Sequence, residues 1–433
     1  MNSRRAWKAA LLVAPVAATL AIAGPSAQGA AAASAVTDAP VDVATRDLPD
    51  VAAPKVGDPI SDAEMRDLET VAEQSGASLD EVIERYAWND NFALAVDQLR
   101  KAAPADFAGS AIVDARHAWI AFKGDQPEAM RTLATTFDSV PGNVIVDIQT
   151  NVGFSEREID AAVAAAHFAA LNSPGVGDAT TSFDYDTRQI TTTVIPSTKG
   201  ANLDAAALDS VASRAAREAV ADGDLGGVAI KIRVTDSATL GAADSHYGGE
   251  LLSGGSCTSG FTVRTTGATS GSRGIATAGH CPNSLSDDGA ALTFKGDYQG
   301  TYGDFQWHTG PQAIADDFYA GSTSTTETDL RDVSSMVNVP SVGQSLCTTG
   351  ATNHKTCQQV RNTSVCNGSK CSLVEMGSRD RAPGDSGGPV YWGNAAYGFH
   401  EGYVWDPFQP FDRDVYSRAD LIDNALGVYV ALS

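Results

Sequence analysis

Gly384-Asp385-Ser386-Gly387-Gly388-Pro389 is the stretch on which the reading of this chain turns. Glycines on either side of a serine allow a tight turn that presents the hydroxyl and lets backbone approach whatever it attacks. Serine is a poor nucleophile unless a base lies within hydrogen-bond reach. Upstream, Thr277-Ala278-Gly279-His280-Cys281 supplies a histidine and Gly303-Asp304-Phe305 an aspartate. Brought together, His280 would take the Ser386 proton and return it to a leaving amine. Asp304 would hold the imidazole tautomer and stabilise its cation. The N–H groups of Gly384 and Ser386 would form an oxyanion hole, worth roughly 3–4 kcal/mol per donor. Asp297 is the nearest rival to Asp304, with Asp316 and Asp317 further off.

Working outward, the chain changes character near Leu240. Downstream, Gly, Ser and Thr become dense and short β-runs alternate with turn clusters, as in an all-β barrel or sandwich. The six cysteines, Cys257, Cys281, Cys347, Cys357, Cys366 and Cys371, all fall there. A hydrophobic content of 43% over 433 residues is enough for packed cores. The net charge of −23 argues against nucleic acid as a partner and against an anionic membrane surface. Residues 36–242 carry 33 acids and 16 bases, and those from 243 onward 20 and 11. No His/Cys/carboxylate group has metal-ligand spacing, so neither metal nor cofactor is expected, and His308 beside Trp307 reads as structural.

Upstream, Arg4, Arg5 and Lys8 precede an apolar run from Ala9 to Ala23, and Ala33-Ser34-Ala35 offers a small-residue cleavage site. The run is short of the ~20 residues that span a bilayer, so residues 1–35 read as a cleaved export signal and the protein as secreted, with no membrane partner. Residues 36–60 read as a Pro- and Asp-rich linker. Ser61 with Glu64, Ser78 with Glu81 and Ser155 with Glu158 fit capping boxes at helix starts. A weak repeat runs from Asp106 to Asp236. Ala118–Phe122, a helix over 127–137 and a strand over 143–148 are matched by Ile190–Ile195, a helix over 203–220 and a strand over 228–234. Asp114-Ala115-Arg116 and Asp186-Thr187-Arg188 stand at the two bends. This is an α+β region of two similar lobes.

With the order His, Asp, Ser, the sequence from Leu240 to the C-terminus resembles the chymotrypsin-type serine proteases, and within them the secreted bacterial branch of alpha-lytic protease and the streptogrisins. The two-lobed region is similar in pattern to that branch's pro-domain. The resemblance implies a double six-stranded antiparallel barrel, with barrel 1 at about 241–335, barrel 2 at about 336–433 and the triad between them. It also implies that residues 61–240 are a pro-domain that assists folding and inhibits the enzyme until cut. The substrates would be proteins or peptides, and the mature enzyme a monomer. It further implies disulfides Cys257–Cys281 and Cys347–Cys357, which leaves Cys366 with Cys371. No Arg or Lys followed by Ile-Val-Gly-Gly occurs, so no new N-terminus of that kind can pair with Asp385, whose charge must be met otherwise. The cysteine that the family usually carries shortly before the nucleophile is missing from 377–383.

Three specificity readings compete. Ala396-Tyr397-Gly398-Phe399-His400-Glu401-Gly402 resembles the strand lining the primary pocket, with His400 at the place that marks glutamate-specific members and Arg379 and Arg381 as added positive potential. Asp380, six residues before Ser386, has the spacing of a pocket for basic residues. Leu240, at a self-cut junction, would favour a large apolar residue. Rival readings are a catalytically silent binding protein on the same fold and a permanent substrate-binding domain at 61–240. A lipase or esterase of the α/β-hydrolase kind would carry its triad in the order Ser, Asp, His, not the order His280, Asp304, Ser386 found here.

Overall fold

The computed structural model describes residues 60–127, 144–198, 202–220, 223–235, 249–253, 257–269, 271–287, 290–310, 314–325, 328–404 and 412–433. The export signal, the linker up to residue 59, the helix expected at 127–137 beyond Pro127 and the junction at Leu240 lie outside them. No helix among the described residues is long and apolar enough to cross a membrane.

Three helices come first: α1 (Asp62–Ser75), α2 (Leu79–Tyr86) and α3 (Asn89–Ala102). The Ser61 hydroxyl accepts from the Glu64 N–H at 3.2 Å while the Ser61 N–H donates to the Glu64 carboxylate at 2.8 Å. Ser78 and Glu81 do the same for α2. Each box satisfies backbone donors that a helix start otherwise leaves open.

Two lobes of one plan follow. In the first, β1 (Phe107–Ile112) and β2 (His117–Phe122) pair antiparallel, and β3 (Ile145–Gln149) lies parallel to β2. The second opens with α4 (Glu156–Leu171), capped by Ser155 and Glu158. There β4 (Val176–Asp184) and β5 (Gln189–Pro196) pair antiparallel, α5 (Ala205–Glu218) crosses over, and β6 (Ala229–Val234) lies parallel to β5. A parallel neighbour requires such a crossover. The weak sequence repeat is thus a repeat of strand topology.

The C-terminal region is strand-rich. Its strands are β7 (Leu251–Ser253), β8 (Cys257–Thr258), β9 (Thr262–Arg264), β10 (Arg273–Thr277), β11 (Ser286–Asp287), β12 (Ala290–Ala291), β13 (Thr293–Gly300), β14 (Gly303–Thr309), β15 (Asp317–Tyr319), β16 (Leu330–Asp332) and β17 (Ser335–Met336). They continue with β18 (Ser345–Gly350), β19 (His354–Asn367), β20 (Lys370–Met376), β21 (Pro389–Trp392), β22 (Ala395–Val404), β23 (Arg413–Arg418) and, after the short helix α6 (Ile422–Leu426), β24 (Tyr429–Val430).

The expected double six-stranded barrel needs correction. The strands of 241–335 fall mainly into separate sheets, ordered β13-β14-β10-β9-β24, β12-β11-β7-β8 and β15-β16, with no closed barrel among the described residues. Most are two or three residues long, too short to carry a ladder around a ring. In 336–433, β18, β21, β22, β23, β20 and β19 follow one another and β18 also pairs with β19. That sheet does not end as a separate barrel but runs on through β19 into β4, β5 and β6.

The join is a ladder between Val365–Asn367 and Thr180–Ser182. His167 of α4 reinforces it, with Nδ1 3.0 Å from the Thr181 hydroxyl and Nε2 2.7 Å from the Gly368 carbonyl. Burial pushes this imidazole down to about 4, against the opposing pull of the Gly368 carbonyl, so it is neutral, with its one N–H on Nε2 donating to that carbonyl. Cys366 and Cys371, bonded to each other, pack in the apolar cluster of the second lobe with Phe183, Val194 and Ala216.

Proline in a central strand removes a ladder donor and is not tolerated there. Ser182→Pro is therefore expected to raise amide hydrogen exchange across 364–371 by at least tenfold while 395–400 stays protected. Unchanged exchange across 364–371 would show that the join contributes no protection.

Candidate active site

The serine turn and the histidine are brought together by one short strand, β8. Cys257 of β8 is bonded to Cys281, the neighbour of His280. Thr258, the other residue of β8, donates its N–H to the Ser386 carbonyl and its hydroxyl to the Gly384 carbonyl at 2.8 Å. Thr277 at the end of β10 donates its hydroxyl to the Thr258 carbonyl. Gly387 closes this contact. Its φ is +90°, and a Cβ there would lie 2.0 Å from the Thr258 oxygen and 2.1 Å from the Thr277 hydroxyl. On the other side, Gly387 N–H donates to the His400 carbonyl at 2.6 Å and His400 N–H to the Gly388 carbonyl at 2.8 Å.

Register places the acid. Thr277 of β10 faces Gln306 of β14, so Asp304, two residues earlier on β14, runs level with the residues just after Thr277. Gly279 is required there, because a Cβ would stand 2.8 Å from Asp304 Oδ1 and 2.7 Å from the Phe305 carbonyl. His280 Nδ1 hydrogen-bonds Asp304 Oδ2, which leaves Nε2 as the nitrogen for proton transfer. Of the rival carboxylates, Asp297 is exposed on β13 and Asp316 is held by Arg264 and Arg273. Asp304 is fully buried, whereas the His280 side chain keeps 13% exposure, an edge open to a substrate. Ser386 is buried.

A lysine that the sequence did not point to completes the charge balance. Lys370 Nζ lies 3.7 Å from Asp304 Oδ2 and is bonded to Glu401. Burial would raise the Asp304 pKa, but Lys370 first and His280 second hold it below the ordinary carboxylate range. Burial likewise disfavours the His280 cation, and Asp304 outweighs that and raises its pKa. Burial opposes the Lys370 cation as well, yet Glu401 and Asp304 raise its pKa well above the usual range. Glu401 reaches inward because the ladder between β22 and β23 slips between His400 and Gly402. A bulge places two successive side chains against the interior, and both His400 and Glu401 are buried. Ser417 finishes the acid's setting by accepting from the Asp304 N–H at 2.9 Å.

The charge of Asp385 is met from within the C-terminal region. Its Oδ1 accepts from the N–H groups of Thr352 at 2.8 Å and Asn353 at 3.2 Å, and its Oδ2 from Ala382 at 2.9 Å. Arg381 Nη1 stands 3.7 Å from Oδ2. Arg381 is thereby spent on this turn, with further bonds to the His354 carbonyl at 2.8 Å and to Thr356.

The specificity candidates separate. The His400 imidazole is buried and its Nε2 has no hydrogen-bond partner. Burial first, then Arg381 and His280, push its pKa well below the usual value, so it is neutral. Asp380 accepts from the Ser378 hydroxyl at 2.9 Å and lines a groove of about 360 Å³ with Gln358, Arg361 and Arg413, to which none of Ser386, His280 and Asp304 contributes. Gly402 pairs with Val415 across the ladder. Arg379 is engaged by Asp412 at 2.7 Å and lies over the Tyr403 ring. His308 is buried against Phe294 with neither ring nitrogen bonded, and burial lowers it to about 4. The cysteines pair as Cys257–Cys281, Cys347–Cys357 and Cys366–Cys371. Among the described residues, two groupings have donor atoms within 4.8 Å of one another, Cys257–His280–Cys281 and His280–Asp304–Glu401. The first has its sulfurs in a disulfide, and the second has its carboxylates engaged by Lys370 and His280.

No family model matches the chain, and no curated protein matches it. Among solved structures it is similar to bacterial chymotrypsin-like serine proteases. A Nocardiopsis protease is 22% identical over 40% of this chain and 91% of that one, with a TM-score of 0.33. A glutamic acid-specific serine protease, described as using a novel histidine triad in substrate binding, is 24% identical over 44% and 97%, with a TM-score of 0.33. Thermobifida fusca protease A is 22% identical over 41% and 92%, also at 0.33.

Lys370 lowers the His280 pKa and Glu401 raises it, the lysine effect being the larger. Removing both, which avoids stranding a buried unpaired charge, should leave His280 titrating higher. The imidazole pKa of Lys370→Met/Glu401→Gln, followed by NMR, is expected above that of the parent. An equal or lower value would remove Lys370 from the charge balance of the site.

Proposed function

We propose that this chain is a secreted serine endopeptidase made as a precursor, with Ser386, His280 and Asp304 as its catalytic triad. The observation that carries the reading is the buried Asp304–His280 hydrogen bond in a site that also holds the Gly-locked Ser386 turn through Thr258. His280 takes the Ser386 proton as the hydroxyl attacks a peptide carbonyl, then gives it to the leaving amine. Water activated by the same imidazole releases the acyl group. The N–H groups of Gly384 and Ser386 receive the oxyanion. Asp304 stays ionised throughout, which its buried contact with Lys370 favours. The reaction needs His280 neutral, so activity falls as the pH drops through the raised His280 pKa.

Residues 61–240 act in this reading as a pro-domain that assists folding and inhibits until cut, and the three disulfides fit an extracellular enzyme. A secreted band of less than half the full-length mass supports it, whereas a stable full-length chain supports the permanent substrate-binding domain instead. For the residue before the cut bond, an acidic side chain is favoured over a large apolar one. The buried, unpartnered His400 nitrogen supports this, and so does the pairing of Glu401 with Lys370, which removes a carboxylate that would repel such a substrate.

A fluorophosphonate probe is expected to label the mature protein, and Ser386→Ala to abolish the labelling. Folded protein that takes no label would leave the silent binding protein as the reading. Asp304→Asn should lower kcat by about four orders of magnitude with the fold intact. In a peptide library, cuts after Glu support His400, and cuts after Leu, Phe or Tyr remove it.

A further inference from the structure

Helix α1 carries a carboxylate into the C-terminal region. Asp67 is fully buried. Its two oxygens accept from Arg331 Nη1 at 3.0 Å and Nη2 at 2.9 Å, from Lys355 Nζ at 2.7 Å and from the Gly393 N–H at 2.7 Å. All four donors belong to residues 331–393. A planar guanidinium, an ammonium and a backbone N–H converging on one carboxylate make the donor set of an anion receptor.

The receptor is fixed by its own region. Arg331 Nε donates to Asp329 at 3.0 Å and Nη1 to the Gly393 carbonyl at 2.8 Å, so the fork is aimed before Asp67 arrives. Gly393 turns between β21 and β22 with φ +58°, and a Cβ there would stand 2.9 Å from Cγ of Glu64 on α1. The Arg331 guanidinium and Lys355 ammonium both lie over the Tyr391 ring, at 5.5 and 5.8 Å. Asp329 is shared between Arg331 and Arg66, so without Asp67 the two buried cations are under-compensated. Burial, helped by Arg331 and opposed by Asp67, already lowers the Lys355 pKa.

We infer that Arg331, Lys355 and the Gly393 N–H form a carboxylate-binding site in the C-terminal region. Asp67 fills it in the uncut chain and latches α1 there, and any other small carboxylate or acidic side chain is accepted when Asp67 is absent. The site is separate from Ser386, His280 and Asp304, and it stands whether or not those residues are catalytic.

The test is chemical rescue in the full chain carrying Ser386→Ala, which keeps it whole. Asp67→Ala is expected to lower Tm by about 6–10 °C, the scale set by stranding a buried charge. Millimolar acetate is expected to restore at least half of that, saturably, while acetamide and matched chloride do not. The parent and Asp67→Ala/Arg331→Gln should not respond to acetate. A folded Asp67→Ala without rescue, or with rescue undiminished by Arg331→Gln, overturns the inference. If Asp67→Ala does not fold in chloride, refolding yield replaces Tm as the readout. Recovery by acetate and not acetamide supports the site, and equal yields overturn it.

Discussion

The missing side chain at residue 387 is the constraint on which the site depends. A Cβ there would stand 2.0 Å from the Thr258 carbonyl oxygen, and the same two-residue strand donates to Ser386 and Gly384 and carries the half-cystine tied to Cys281. The serine turn, the histidine and the disulfide are therefore not three independent placements. A side chain at 387 would push the turn off β8, whose Thr258 and Cys257 tie Ser386 to the histidine side of the site.

Three buried carboxylates share one arrangement: each is met by an opposite ion and by hydrogen bonds aimed at the charged form, as burial requires. Asp304 has His280 and Lys370, Asp385 has three backbone N–H groups with Arg381, and Asp67 has Arg331, Lys355 and a backbone N–H. The two halves of the chain are both net acidic by sequence, so long-range charge drives them apart. Their docking rests on apolar burial, with Leu68 and Val71 of α1 in the same cluster as Val390, Tyr391 and Phe399, and on local complementarity such as the Asp67 contact.

What was legible in the sequence was local. Capping boxes need only residues three apart, and Ser61, Ser78 and Ser155 all cap as read. Motifs with a steric reason for their glycines pointed to His280, Asp304 and Ser386, and the structure places Asp304 rather than Asp297 against the imidazole. Lys370 was not legible. It lies far from Asp304 along the chain, and it faces the acid only because β20 and the bulge at Glu401 bring it there. Sheet closure was not legible either, since alternating β-runs say that strands exist and not how many residues each will spend in a ladder. The join of β19 to β4 belongs to the same class, a pairing between segments nearly two hundred residues apart.

Helix α1 is packed into the C-terminal core and yet reaches it through a chain that passes residues 236–248. While that connection is whole, the helix meets its groove at the high effective concentration of a tethered segment. Once it is broken, the same contacts become a bimolecular equilibrium. Occupancy of the groove then depends on how dilute the two pieces are. Dilution alone would then act as a signal on this protein.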